Sequence, residues 1–261
     1  MREMRYLCLG GLLLGDSAWY IPGLLAACRQ YAVKVISGRY ALPLWEWAQA
    51  EIVGADFEIV GMVDDRDEIG EDGRVRPLAA GLGYYAIIAA EKQARQMFSD
   101  TSFLSLVTGD RIWTALNSPD GRWKALNPSG RPTVPLIRLQ VEDGEHIALH
   151  GWSHHDWKAL HGLLYKPRYT RPVRYLGVAG QPHIYLTPPF AEQMEYLLTC
   201  HALVGIQSSW SCIAALFGKR QVVASFTDDR GLDFSAINPR CRSLVNPTLD
   251  ALQKVIEEED C

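Results

Sequence analysis

Apolar residues in this chain fall into short runs that alternate with stretches of helical spacing. Arg5–Leu9, Val33–Ser37, Phe57–Val63 and Tyr85–Ala89 read as strands. Between the first two, Ile21, Leu24, Leu25 and Cys28 recur at i, i+3, i+4 and i+7, which predicts a helix with one apolar face. Pro22 places its start near Ile21, because proline is tolerated in a first turn and kinks an interior. A fresh alternation opens with a strand at His146–His150, a helix at Trp157–Leu164 and a strand at Val173–Val178. A helix face of Phe190, Met194, Leu197, Leu198 and His201 follows, then strands Leu203–Ile206 and Val222–Phe226 and a last helix, Leu249–Glu258. Strands alternating with helices imply βαβ units and parallel sheets, so the predicted class is α/β.

Asn117–Gly121 and Asn127–Gly130 are turn clusters, and Pro132 and Pro135 follow them. They predict a link between two domains, residues 1–132 and 133–261. With 261 residues, 48% of them hydrophobic, the chain is long enough to bury a core in each. A net charge of −4 does not suggest a dedicated nucleic-acid binder. The six cysteines are scattered without a CxxC pair, against a zinc ribbon or a secreted disulfide scaffold, and they predict a cytoplasmic protein. The apolar run Tyr6–Leu14 is short and broken by Gly10 and Gly11, so neither a signal peptide nor stable membrane insertion is expected.

Chemistry concentrates in a few places. Gly10, Gly11, Gly15 and Asp16 follow the first strand, where a parallel sheet presents ligands, and glycine lets a substrate approach the backbone. Asp16 reads either as a general base for an acceptor hydroxyl or as a helix N-cap. The dinucleotide fingerprint GxGxxG is absent. Gln207-Ser208-Ser209-Trp210-Ser211 opens a helix straight after a strand, with Trp210, Ile213 and Phe217 on its inner face. Free amides and the helix dipole suit a diphosphate there, while the plainer reading is an N-cap serine on a core helix. His150-Gly151-Trp152-Ser153-His154-His155-Asp156-Trp157-Lys158 invites a metal, but HExxH is missing and adjacent histidines cannot face one way on a regular element. Phosphate contacts from Ser153 and Lys158 are the alternative, or a solvated loop. Lys166, Arg168, Arg171 and Arg174 form a basic stretch that reads as solvated or as a phosphate contact.

Two of these motifs resemble the heptosyltransferase-like glycosyltransferases. That family has Gly-Asp after a strand and a proline six residues beyond the acid, as in Gly15-Asp16-Ser17-Ala18-Trp19-Tyr20-Ile21-Pro22. It also has a strand, then Asp-Thr-Gly-Pro, a small residue, His, Leu, Ala, Ala and a later Gly-Lys. Gln207 to Ala215 and Gly218-Lys219 occupy those places, followed by Thr227-Asp228-Asp229. Gln207 stands where the family has an acid, and Cys212 where it has a histidine. The match covers residues 1–50 and 145–235.

The resemblance implies a GT-B fold, two Rossmann-like domains with mostly parallel sheets facing a cleft. It implies a metal-independent transfer of sugar from a nucleoside-diphosphate donor, with no cofactor beyond that co-substrate. Asp16 would be the base, and Gly11, Gly15 and Ser17 would line the acceptor side. Ser153, Lys158, Gln207, Ser208, Ser209, Trp210, Ser211 and Asp228 would bind the donor. The acceptor would be a carbohydrate, a glycolipid or a modified nucleotide. Two other readings stand beside it: a phage-type transferase acting on a DNA base, and a nucleotide-binding relative without catalysis.

Overall fold

The computed structural model describes residues 2–9, 14–18, 20–38, 40–63, 68–69, 75–76, 114–117, 123–126, 135–139, 144–150, 171–177, 188–225, 232–235 and 237–259. The expected strand Tyr85–Ala89 and helix Trp157–Leu164 lie outside them. The chain forms two compact units, Met1–Ile112 with Ser129–Arg138, and Trp113–Pro128 with Leu139–Cys261.

In the first unit, β1 (Met4–Leu9), β2 (Ala32–Gly38) and β3 (Phe57–Val63) form a parallel sheet in the order β1-β2-β3. β3 has the predicted bounds, and β1 and β2 extend slightly beyond theirs. The β1–β2 connection holds α1 (Leu14–Ala18) and α2 (Ile21–Gln30), and α3 (Leu42–Glu51) joins β2 to β3. As predicted, α2 starts at Ile21 with proline in its first turn. Ile21, Leu24 and Cys28 are buried, but Leu25 is only half-buried, and Ala26 and Ala27 lie against the core instead. Small side chains let a helix approach its sheet closely, which turns the buried arc away from the bulkier residue. α3 was not predicted. It buries Leu44, Trp45, Trp47 and Ala48 on one arc, but Leu42, Pro43 and Ala50 place further apolar residues on the other side, so no amphipathic stripe shows in the sequence. Residues 135–138 return to this unit and close the end of α3: Val53 N–H donates to the Leu136 carbonyl (2.8 Å) and Arg138 N–H to that of Glu51 (2.7 Å).

α1 corrects a local reading. Gly15 and Asp16 were placed in a turn, with Asp16 a candidate N-cap. Both lie inside α1, and α2 begins after Tyr20, which makes no side-chain cap. Tyr20 N–H donates to the Ser17 carbonyl (3.1 Å), so the chain passes from α1 through one tight turn into α2. Asp16 therefore does not cap α2.

Outside this sheet, β4 (Glu68–Ile69) and β5 (Val75–Arg76) pair antiparallel. In the second unit, β6 (Thr114–Asn117) and β7 (Trp123–Leu126) pair antiparallel on either side of the first turn cluster, which was read as linker. A later strand, β12 (Leu232–Asp233), adds parallel to β7.

The main sheet of this unit contains β8 (Ile147–His150), β9 (Val173–Tyr175), β10 (Ala202–Ile206), β11 (Gln221–Ser225) and β13 (Cys241–Val245). Its order is β13-β11-β10-β8-β9, and every pair is parallel. Its helices are α4 (Phe190–Thr199), α5 (Ser209–Leu216) and α6 (Leu249–Glu258). Ile147, Leu149, Ala202, Val204, Ile206, Val222 and Ala224 form one face with Leu252 and Ile256 of α6. The alternate residues Ala148, Leu203 and Val223 are buried as well. Burial on both faces explains why these strands read as unbroken apolar runs. Among the described residues no helix is long and apolar enough to cross a membrane.

Candidate functional site

The strand order creates a particular place at the carboxyl edge of the second unit's sheet. From β8 the chain moves to β9 on one side, and from β10 it moves to β11 on the other. The strand order thus runs in opposite directions from two neighbouring strands, which makes their carboxyl ends a topological switch point. Ligands of open α/β sheets bind at such a switch point. The strands approach closely here. Gly205 pairs with His150, and a Cβ built on Gly205 would lie 2.5 Å from the His150 carbonyl oxygen. Glycine is thus needed on steric grounds in the last turn of strand before the site.

Gln207 follows β10, and its N–H donates to the Ala224 carbonyl of β11 (3.0 Å). Ser208 is extended (φ −159°, ψ −177°) and caps α5. Its Oγ accepts from Trp210 N–H at 3.2 Å, while Ser211 Oγ accepts from Ser208 N–H at 2.9 Å. Ser211 also donates its hydroxyl proton to the Ser208 carbonyl (2.7 Å). The serines at both ends of the turn are consumed by this reciprocal capping box, which fixes where α5 begins. Between them stands Ser209, half-buried, and among the described residues neither its amide nor its hydroxyl has a partner. α5 carries no acid in its first turn, so nothing there offsets the positive end of its dipole.

The predicted site residues thus separate. Gln207, Ser208, Ser209, Trp210 and Ser211 are brought together at one helix start. The Trp210 side chain is 1% exposed and stacks on Phe190 (centroids 5.5 Å apart, planes at 24°), so its ring packs the helix. Ser211 is fully buried in the cap. Gln207, Ser208 and Ser209 are the half-buried polar residues of the turn. Gly15 is buried in α1, and the Ser17 hydroxyl is buried with no partner among the described residues. Asp16 follows β1 in α1. Gly11, Ser153, Lys158 and Asp228 lie outside the described residues, as do His154, His155, Lys166 and Arg168. His150 is described: it is 1% exposed and its Nδ1 lies 2.8 Å from the Leu176 carbonyl, so that nitrogen holds to backbone.

Sequence reading missed Gln193. It is 3% exposed, and its amide bonds Gly177 N–H and the Pro188 carbonyl, both at 2.8 Å. The signal was a polar residue inside the apolar stripe of α4. Cys28, Cys200, Cys212 and Cys241 are buried and form no disulfide among the described residues, in line with the apolar role expected of them, and burial pushes the Cys28 thiol up to about 12.

The arrangement defines a class first: an α/β fold of two parallel-sheet units, with a serine-capped helix start at the switch point of the second. Solved structures narrow it further. The chain has a heptosyltransferase-like, GT-B fold, similar to E. coli heptosyltransferase WaaC with ADP at 11% identity and a TM-score of 0.53, over 99% of this chain and 100% of that one. The structure of E. coli heptosyltransferase WaaC with ADP-2-deoxy-2-fluoro heptose aligns at 11% identity and a TM-score of 0.44, over 99% of each chain. No protein-family model matches the chain, and no curated protein does.

Proposed function

We propose that this protein is a glycosyltransferase that moves a sugar from a nucleoside-diphosphate donor to an acceptor hydroxyl. The observation that carries the reading is Ser209 at the start of α5, without a partner among the described residues and beside the switch point of a parallel sheet. Its amide, its hydroxyl and the helix dipole suit the donor's diphosphate. The GT-B fold, and the ADP in the E. coli structure that shares it, support the same reading and make ADP the first nucleotide to test.

In the proposed reaction the acceptor oxygen bonds to the anomeric carbon as the bond from that carbon to the diphosphate breaks. The nucleoside diphosphate leaves with the bonding electron pair. The start of α5 stabilises the charge that grows on it, the part a metal ion plays in other transferases. Asp16 is assigned as the base that takes the acceptor proton, on the Gly15–Pro22 spacing and its place after β1. Ser17, buried beside it with an unused hydroxyl, belongs to the same acceptor-side segment.

A second reading has a specific motive. Gln207 and Cys212 replace the acid and the histidine of the resembling family, and Cys212 is buried in α5. Those exchanges would fit a protein that binds a nucleotide without turning it over. Incubation with nucleotide sugars, an acceptor panel and excess chelator decides between them. The transferase reading predicts release of nucleoside diphosphate that depends on acceptor and persists in EDTA. Binding of ADP without turnover of any donor would favour the second reading, and reversible loss of transfer in EDTA would refute the metal-free mechanism.

A further inference from the structure

Buried side chains that the donor-site reading does not use tie the start of α4 to the carboxyl edge of the sheet. Gln193 Oε1 accepts from Gly177 N–H and Gln193 Nε2 donates to the Pro188 carbonyl, each at 2.8 Å. One buried amide thus joins the exit of β9 to the residue pair that leads into α4. Beside it, His150 Nδ1 donates to the Leu176 carbonyl at 2.8 Å, since a carbonyl can only accept. His150 and Gln193 therefore hold consecutive residues, Leu176 and Gly177. From the same helix start, Phe190 stacks on Trp210, with ring centroids 5.5 Å apart. Trp210 is the neighbour of Ser209, and its N–H is held by the Ser208 hydroxyl. The link from Gly177 runs through Gln193 to Pro188, two residues ahead of Phe190, and Phe190 meets Trp210 at the start of α5.

Gln193 occupies a position where packing alone would be served by an apolar side chain. It lies in the buried stripe of α4 with Met194, Leu197 and Leu198. Burying an amide costs free energy unless it is hydrogen-bonded, and a satisfied buried polar group fixes geometry more than it adds stability. What Gln193 adds over methionine is the placement of two backbone groups.

We propose that Gln193 is a positioning residue: it fixes the start of α4, and through the Phe190–Trp210 stack it holds Ser209 where the donor diphosphate binds. The proposal rests on the reading of α5 as the diphosphate site. Gln193→Met removes both hydrogen bonds at similar volume, and Gln193→Glu keeps an acceptor for Gly177 N–H but loses the donor to Pro188. Each variant is studied well below its unfolding midpoint.

In the ligand-free protein, amide NMR spectra should show Ser209 and Trp210 displaced in Gln193→Met, and displaced less in Gln193→Glu. With ADP as probe, Kd should rise about tenfold in Gln193→Met, within the range that a misplaced site group costs. Phe190→Leu should weaken ADP as well, and the double variant should lose no more than the larger single loss, because both act through one path. A purely structural residue would lower the unfolding midpoint and leave the Kd of the folded protein unchanged. Unmoved Ser209 and Trp210 amides, a wild-type Kd in folded Gln193→Met, or additive losses would each overturn the proposal. If Gln193→Met does not fold, the same amides in Gln193→Glu decide. If the wild-type protein binds no ADP, the donor reading fails, while the displaced amides still decide whether Gln193 positions Ser209.

Discussion

Ser208, Ser209 and Ser211 look alike in the sequence and do different things. Ser208 spends its hydroxyl on the Trp210 amide and Ser211 its own on the Ser208 backbone, while Ser209 has no partner among the described residues. The sequence showed that a helix began at this turn but not which serine would remain available, because that depends on which residue becomes the cap. Gly205 is a second case, since its reason lies in the neighbouring strand. Gly205→Ala forces a Cβ to within 2.5 Å of the His150 carbonyl oxygen. Strand backbone has little room to yield, so the change should destabilise the protein by about 1–3 kcal/mol, the usual cost of overpacking. A urea midpoint equal to that of the wild-type protein would show that the two strands can separate freely. Asp16 carries the proposed base. Asp16→Asn removes basicity at constant size, and it cannot act through an α2 cap, since Tyr20 occupies that position. Turnover should fall by roughly 10²–10⁴, the usual worth of a positioned base, with ADP affinity little changed. A folded variant with near-normal turnover would move the base elsewhere.

Elements whose apolar residues follow one clear period were legible. β3 and α6 have the bounds expected from the sequence, and α2 starts where Pro22 allows. α3 was hidden because apolar Leu42, Pro43 and Ala50 lie outside the buried arc of Leu44, Trp45, Trp47 and Ala48. β6 and β7 were hidden because their turn residues are the same ones that mark a linker. One joint between elements carries a pH prediction. His146, just ahead of β8, donates from Nε2 to the Tyr196 carbonyl in the last turns of α4 (2.9 Å). Its ring meets Tyr196 edge-on, Arg174 lies over the ring of that tyrosine, and Tyr196 in turn donates to Glu192. Burial lowers the His146 pKa, the charges of Arg174 and Lys219 lower it further, and the bond to the Tyr196 carbonyl works in the opposite sense. The folded protein therefore binds this proton less readily than the unfolded chain. Stability should be unaffected above the ordinary histidine value and should fall as pH drops below about 6.5, until the folded-state pKa is reached. His146→Gln keeps a donor for the Tyr196 carbonyl and cannot titrate. Unfolding midpoints taken from about pH 7.5 to 5 should decline less steeply in that variant, and equal slopes would remove His146 from the account.

At the scale of the whole molecule, the alternation of strands and helices was enough to predict parallel sheets, and both main sheets are parallel. Strand order was not legible, because parallel strands of similar composition can be arranged in many ways with the same apolar pattern. That order is what places β8 beside β10 and puts the serine turn at the switch point. The GT-B likeness extends over nearly the full chain although identity is 11%, as expected when burial pattern and connection lengths specify a fold and residue identities specify a site. The central claim is that the start of α5 binds the diphosphate of a nucleotide donor. Calorimetric titration of ADP into the wild-type protein and into Ser209→Asp tests it most directly. Aspartate at the first turn of a helix favours the helix dipole, so α5 should remain folded while a negative charge stands where the diphosphate would bind. The account predicts ADP binding to the wild-type protein and a loss of about tenfold or more in the variant, the scale of one misplaced charge. Equal affinity of both folded proteins for ADP would contradict it.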